Sequence, residues 1–277
     1  MTLSLRNNFL KGGIILAALS LTLVVAGGYF AFPAYPEALS SAATRSGGII
    51  EGLIKDISGP SAQVPFWSIF CAVVYSLISV ILIYYYFEKT QSPEIFFFAL
   101  FAVSLSLEFT RIAIPLIIIY PYPTMYLLAS SRVLLFGRYF GLFALFSSGI
   151  HAAGFDGQKQ QTVFLLSILA SMVISFNVPL DSLVWDSTFA LLSGYGAMFA
   201  FIEAAIISVT IISFFISSYT RGSKNYLFSG LGILLAFLGR YILLGSDTWI
   251  TPLPGLIILS VGTWLVCSSL HREYLWQ

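Results

Sequence analysis

Residues Ser131 to Gly141 read SRVLLFGRYFG and place Arg132 and Arg138 inside an apolar run long enough to cross a bilayer. A guanidinium at the centre of a membrane costs about 2.5 to 3.5 kcal/mol even on the lenient insertion scale, so both arginines require polar partners. The candidate partners are the ionisable residues inside other apolar runs: Glu108, Arg111, Glu203 and Arg240. The sequence therefore predicts an ionic site within the membrane.

The composition identifies the class of protein. The chain has 277 residues, of which 58% are hydrophobic and 9% charged, and this lies far outside the range of soluble globular domains. Apolar runs of about 20 residues without strand-like alternation favour helices over a barrel. A net charge of +1 without clustered Lys and Arg excludes a nucleic-acid partner. We predict an all-α polytopic membrane helix bundle embedded in the lipid bilayer.

Eight transmembrane spans follow from runs bounded by Pro, Gly or a charge. They are Gly12 to Phe32, Pro65 to Phe87, Ile95 to Tyr120, Thr124 to Ala152, Thr162 to Phe176, Thr188 to Tyr219, Tyr226 to Ser246 and Pro254 to Leu270. The fifth span is the shortest, and two alternatives to a simple crossing stay open for it: it extends through Pro179, or it is re-entrant. The predicted division is 1–64, the first helix with an external segment, and 65–277, a seven-helix membrane domain.

The first run and the segment after it need separate interpretations. The first run is longer than a signal-peptide core and has no small-x-small cleavage site behind it, so we expect a retained helix. The segment from Pro33 to Val64 is polar, with apolar residues at helical spacing between Ile49 and Ile57. This pattern predicts an amphipathic helix on the membrane surface.

The loop cations decide the orientation. With a cytoplasmic N-terminus, seven Lys and Arg residues lie on the cytoplasmic side and two, Arg45 and Lys55, on the other. The positive-inside rule therefore predicts that both termini are cytoplasmic.

The intramembrane charges divide by predicted depth, at about 1.5 Å of rise per residue. The predicted outer group is Glu108, Arg111, Arg132 and Arg240. One carboxylate cannot neutralise three guanidiniums, so this group predicts a site for a small anionic or polar ligand, such as a carboxylate, a phosphate or a lipid head group. Arg132 has the alternative of snorkelling to head groups. The predicted inner pair, Arg138 and Glu203, has a structural or coupling role.

A short repeat suggests a second interpretation. Gly137-Arg138-Tyr139 recurs as Gly239-Arg240-Tyr241, and the span before each triplet carries one glutamate. Three spans reverse the chain direction, so the duplication would be inverted, and the predicted depths agree with that symmetry. Inverted repeats build many secondary transporters.

Other residues have simpler interpretations. Gly137 and Gly141 form a small-xxx-small pair that predicts close helix packing. We expect Phe96 to Phe98 to face lipid. We expect the histidines, His151 and His271, either to pack at the interface or to act as cations at helix C-termini. Cys71 and Cys267 are expected in opposite leaflets, which argues against a disulfide or a metal site. No HExxH, GxSxG or P-loop motif occurs, so we expect neither enzymatic activity nor a cofactor.

Several short motifs resemble a known family. They are Phe87-Glu88-Lys89 to Ser92-Pro93, Arg221-Gly222, Thr251-Pro252-Leu253-Pro254, Gly262 and Leu270-His271-Arg272. With these motifs, Pro65 to Arg272 resembles the seven-helix membrane module of bacterial receptors with diverse intracellular signalling modules. In that family a sensor domain usually precedes the module, and the last helix continues into a kinase, cyclase or similar output domain.

The resemblance implies a receptor-like role in a bacterial inner membrane. Because this chain stops at Gln277 and carries only Pro33 to Val64 outside, we expect a receptor-like or accessory module that reports to a partner membrane or signalling protein. The alternative is a secondary transporter in which Glu108 and Glu203 exchange protons.

Overall fold

The computed structural model describes residues 2–31, 63–87, 92–120 and 123–275. The helices are α1 (Leu3–Ala31), α2 (Gln63–Phe87), α3 (Pro93–Ser104), α4 (Ala113–Ile119), α5 (Thr124–Ala152), α6 (Gln160–Asn177), α7 (Gly196–Arg221), α8 (Lys224–Leu244) and α9 (Pro252–Leu275). Two 3₁₀ segments, Leu105–Ile112 and Gly157–Lys159, join α3 to α4 and precede α6. The predicted amphipathic segment, at 33–62, lies outside the described residues.

Eight helical spans in the described ranges are long and apolar enough to cross a membrane, with α3, the first 3₁₀ segment and most of α4 forming one of them. The predicted all-α polytopic bundle is therefore confirmed. The fifth span is a complete helix, α6, of 18 residues.

A β-hairpin interrupts the helical pattern. Strands β1 (Leu180–Trp185) and β2 (Leu191–Ser193) pair antiparallel between α6 and α7. The predicted start of the sixth span at Thr188 is therefore wrong, and the helix begins at Gly196. We call the end of the bundle that holds this hairpin the hairpin end; the loop charges predict that it faces outward.

The span from α3 to α4 is the centre of the bundle. It packs against α1, α2 and α5, and almost nine tenths of an 18-residue apolar stretch within it is buried. The expectation that Phe96 to Phe98 face lipid is wrong, since all three side chains are buried and Phe97 stacks on His151. Neighbouring helices cover this span on all sides, so its aromatic rings form the core.

The remaining spans continue around this centre. Helix α5 packs on α3, α6 and α7, and α7 packs on α8. Helix α8 packs on α9, and both of these helices also touch α2. Charged side chains of the first 3₁₀ segment, α5, α7 and α8 are thereby turned toward one region of the bundle.

Candidate functional site: a buried arginine and glutamate network

Glu108 and Arg138 form the main ion pair of the network. Arg138 donates from Nε to Glu108 Oε1 at 3.0 Å and from Nη2 to Glu108 Oε2 at 3.2 Å. This two-point geometry is the strongest arrangement between a guanidinium and a carboxylate. Only 2% of the Glu108 side chain is exposed, so the bond lies inside the bundle.

The local helix type brings Arg111 to the same carboxylate. Glu108 and Arg111 lie in the 3₁₀ segment, where side chains three residues apart eclipse each other. Arg111 Nη1 donates to Glu108 Oε2 at 3.5 Å. Pro115 follows near the start of α4 and lacks an N–H group, so it cannot donate the α-helical hydrogen bond to the carbonyl of Arg111. One carboxylate therefore contacts two guanidiniums.

Small residues allow α5 to approach this segment closely. A Cβ atom at Gly137 would lie 2.8 Å from Leu107 Cβ, and one at Gly141 would overlap the hydroxyl of Ser104. The predicted role of the two glycines in close packing is confirmed. Their absent side chains let the Arg138 guanidinium reach Glu108.

The β-hairpin closes the network at the hairpin end. Arg111 donates from Nε to the carbonyl oxygen of Thr188 at 2.7 Å, and its Nη2 donates to the same oxygen. The next residue, Phe189, is buried, and its ring packs edge-on against Phe66 of α2 at 5.1 Å between centroids. The tip of the hairpin is therefore inserted between helices and caps Arg111.

Asp186 shapes the hairpin tip. Its Oδ1 atom accepts hydrogen bonds from the N–H of Thr188 at 2.9 Å, the hydroxyl of Thr188 at 2.8 Å and the N–H of Ala190 at 3.0 Å. Phe189 adopts a φ of 58°, a left-handed conformation that is uncommon for an aromatic residue. Such strain persists where the surroundings fix the backbone, and here Asp186 and the packing of Phe189 do so.

Arg240 joins the network from α8. Its Nη2 donates to the backbone carbonyl oxygen of Arg138 at 3.2 Å, and its guanidinium lies 5.9 Å from the centre of the Phe101 ring. Arg240 is buried. It links α8 to α5 through the same residue that pairs with Glu108.

The structure places Arg132 in a different role. Its Nη1 donates to the carbonyl oxygens of Ser175 at 2.5 Å and Val178 at 2.6 Å. These oxygens lie at the C-terminus of α6, where carbonyl groups lack helical partners and a cation is favoured. Arg132 therefore caps α6, and within the described part of the chain its hydrogen bonds do not connect it to the Glu108 carboxylate.

Glu203 is the predicted partner of Arg138, but within the described ranges it forms no ion pair closer than 4.0 Å. The side chain is half-buried and near enough to Arg138 and Arg240 to act on both electrostatically. Because α7 begins at Gly196, Glu203 lies about 10 Å from the hairpin end of its helix, at 1.5 Å per residue.

The depths predicted for the outer group and the inner pair are consequently wrong. Glu108 and Arg138 were expected in different halves of the membrane, but they are directly bonded. Glu203 was expected in the inner half, but it lies in the half nearer the hairpin end. The depth symmetry that the inverted repeat requires is not present.

The charge balance also differs from the prediction. The sequence suggested one carboxylate for three guanidiniums, whereas Glu203 and Asp186 both act electrostatically on Arg138 in addition to Glu108. Arg111, Arg138 and Arg240 thus face three carboxylates, of which Glu108 alone makes ion pairs within 4.0 Å in the described part of the chain. The network is nearly neutral in sum but unevenly paired.

Two contributors were missed by the sequence analysis. Thr188 acts through its backbone carbonyl, which leaves no signal in a side-chain pattern. Asp186 stands two residues before Thr188, a spacing typical of an Asx turn, and could have indicated a turn where a helix start was predicted. Among the described residues, no group of three or more His, Cys, Asp or Glu is arranged to hold a metal ion.

The fold and the network define an integral, multi-pass helical membrane protein with a buried arginine and glutamate cluster. No family model matches the chain, and neither a curated protein nor a solved structure shows significant similarity to it.

Proposed function

We propose that the protein is a non-enzymatic, receptor-like or accessory module of a bacterial inner membrane. It accepts a small anionic or polar ligand from the hairpin end and reports to a partner membrane or signalling protein. The ligand engages Arg111 and Arg240, while Glu108 orients Arg111 and Arg138. Arg132 holds α6 in place and does not contact the ligand.

The observation that carries this proposal is the bond between Arg111 and Thr188. Two N–H groups of the buried Arg111 guanidinium donate to one neutral carbonyl oxygen, that of Thr188. The hydrogen bond from Arg111 to Glu108 is long at 3.5 Å. A carboxylate or phosphate group offers the charged, two-point partner that a guanidinium prefers. A ligand oxygen would therefore replace the Thr188 carbonyl and displace the hairpin tip.

Arg138 connects the proposed ligand site at Arg111 to helix α8. This side chain is 26% exposed although it sits midway along α5, so the network is not sealed on all sides. Arg138 contacts Glu108 through its side chain and Arg240 through its backbone. A ligand that shifts Arg111 alters the Glu108 contact and, through Arg138, the position of α8.

The test is the thermal unfolding of the purified protein in detergent, with phosphate, sulfate, acetate or succinate as the probe and chloride at matched ionic strength. We expect one of these anions to raise the unfolding temperature of the wild type, since a ligand at 100 times its Kd stabilises by about 2.7 kcal/mol. Arg111→Gln and Arg240→Leu should remove the shift. Arg111→Lys, which keeps the charge but not the planar fork, should reduce it.

The matched control is Arg132→Gln, which removes an arginine whose side-chain hydrogen bonds, among the described residues, go to carbonyls at the end of α6. This variant should lower the unfolding temperature but keep the response to the anion. An equal response in all arginine variants, or none in the wild type, would contradict the proposal.

A second candidate is a proton-coupled secondary transporter, which Glu203 favours. This half-buried carboxylate lies near two arginines and, within the described ranges, forms no ion pair within 4.0 Å, whereas Glu108 forms two. Proteoliposomes with a pH-sensitive dye inside test this function under imposed phosphate or acetate gradients. Proton movement that Glu203→Gln abolishes would support transport, and its absence in the wild type would exclude coupling to these anions.

A further inference from the structure

A cavity of about 440 Å³ lies between α2 and α9, away from the charged network. Its walls are mostly apolar and include Phe70, Val74 and Leu82 of α2 and Leu256 and Trp264 of α9. Both helices are membrane spans, and the Trp264 side chain at the rim is 65% exposed. The mouth of the cavity therefore opens on lipid hydrocarbon.

The cavity remains open because other contacts fix the two helices at its ends. Near the hairpin end, the hydroxyl of Ser68 on α2 donates to the carbonyl of Leu243 on α8, to which α9 is tightly packed. At the other end, the rings of Phe87 and His271 meet edge-on at 5.4 Å between centroids. Between these contacts the helices touch through the hydroxyls of Tyr75 and Thr263, which form the floor.

The polar groups on the floor are already paired. The Thr263 hydroxyl donates to the carbonyl of Leu259 at 2.9 Å, so the Tyr75 hydroxyl is the donor in its bond to Thr263. Ser260 at the rim donates to the carbonyl of Leu256 at 2.8 Å. An occupant consequently needs no polar group at this level.

The shape selects the kind of occupant. The lining extends from Phe70 to Phe87, about 25 Å along α2 at 1.5 Å per residue. The volume of about 440 Å³ is thus spread along an elongated space between the two helices. A hydrocarbon chain fits, because carbon atoms pack at about 3.5 to 4.0 Å. An α-helix, about 10 Å across with its side chains, does not.

We infer that this cavity is a binding site for a single extended lipid acyl chain, which enters sideways from the bilayer and lies between α2 and α9. The chain fills space that would otherwise be a void between two fixed helices. The site is separate from the proposed anion site and does not depend on it.

The test uses nanodiscs that contain phosphatidylcholine with a diazirine midway along one acyl chain. After irradiation, the crosslinked residues are mapped by mass spectrometry. We expect labels concentrated on the walls of the cavity, at a higher level per exposed residue than on the outer faces of α6 and α7. Val74→Phe and Ser260→Leu each narrow the cavity and should remove these labels.

Val209→Phe is the matched control, since Val209 is exposed on α7 and far from the cavity lining in sequence. It should leave the labels on α2 and α9 unchanged. Ser260 is exposed, so Ser260→Leu keeps the test valid if Val74→Phe fails to fold. Labels distributed in proportion to exposed surface, or labels that persist in both narrowed variants, would overturn the inference.

Discussion

The charged network and the interface between α8 and α9 solve the packing of membrane helices in opposite ways. In the network, helices meet through long side chains, a 3₁₀ segment and an inserted hairpin. At the α8–α9 interface, glycines bring backbones into direct contact: a Cβ at Gly239 would lie 2.7 Å from Leu259 Cα, and one at Gly262 would lie 2.7 Å from the carbonyl oxygen of Gly232.

This difference shows where the molecule can change shape. Close backbone packing has one well-fitting arrangement, because interiors are packed as densely as crystals. Bonds from a guanidinium to a carbonyl oxygen can be exchanged for bonds to another acceptor at a modest net change in free energy. We therefore expect α8 and α9 to move as one unit and the network to carry any rearrangement.

The largest expected effect is at Glu108. Glu108→Gln leaves the guanidiniums of Arg138 and Arg111 without their shared charge, so the free energy of unfolding should fall by about 3 to 5 kcal/mol. Glu203→Gln is the matched control and should change stability by less than about 1 kcal/mol, since that side chain is half-buried. Reversible unfolding in mixed micelles measures both. Equal losses would show that Glu108 is not the centre of the network.

The second largest effect on stability is expected at the interface between α8 and α9. Gly239→Ala places a methyl group against the backbone of Leu259 and should cost up to about 3 kcal/mol of stability. Gly12→Ala is the control, because a Cβ there meets no atom within 4 Å. Thermal unfolding monitored by circular dichroism compares the two. A Gly239→Ala protein as stable as the wild type would mean that α8 and α9 can separate easily.

A smaller effect separates geometry from charge at the hairpin tip. Asp186→Ala removes the acceptor of three hydrogen bonds and should cost about 1 to 2 kcal/mol. Asp186→Asn keeps the Oδ1 acceptor but not the charge, so most of the stability should remain. Amide hydrogen exchange of Thr188 and Ala190 reports the loosening directly. If Asn is as damaging as Ala, the charge of Asp186 near Arg111 matters more than the turn.

The smallest effect concerns a hydroxyl pair between α5 and α6. Ser147 Oγ lies 3.0 Å from Ser167 Oγ, and bonds of this kind contribute about 0.6 kcal/mol in membrane proteins. Ser147→Ala should lower stability by roughly that amount, whereas Ser213→Ala, which removes a bond within α7 alone, should have less effect. A double variant with Ser167→Ala would reveal whether the two hydroxyls are coupled.

The class of fold could be predicted from the sequence because the hydrocarbon of the membrane restricts which structures are possible. Long apolar runs in hydrocarbon must form helices, and this constraint predicted the eight spans without knowledge of their packing. Gly137 and Gly141 were interpretable for a similar reason, since small residues four apart in such a helix have few other uses.

The site was predictable as a set of residues but not as a geometry. Arg138 was assigned to Glu203 because depth was counted along ideal helices, and both a 3₁₀ segment and a hairpin altered that count. Arg132 donates to the backbone carbonyl groups of Ser175 and Val178. Every residue has such a group, so the sequence does not indicate which ones accept a hydrogen bond. The burial of Phe97 was missed because composition does not distinguish a central helix from a peripheral one.

The 3₁₀ segment has a consequence for the central span as a whole. Each residue in it advances by about 2.0 Å and turns by about 120°, against 1.5 Å and 100° in an α-helix. Over the eight residues from Leu105 to Ile112, the span becomes about 4 Å longer and α4 is rotated by about 160° relative to a continuous helix. A local conversion of this segment to α-helix would therefore act as a screw, drawing the end of α4 inward while turning its opposite face toward α1 and α5.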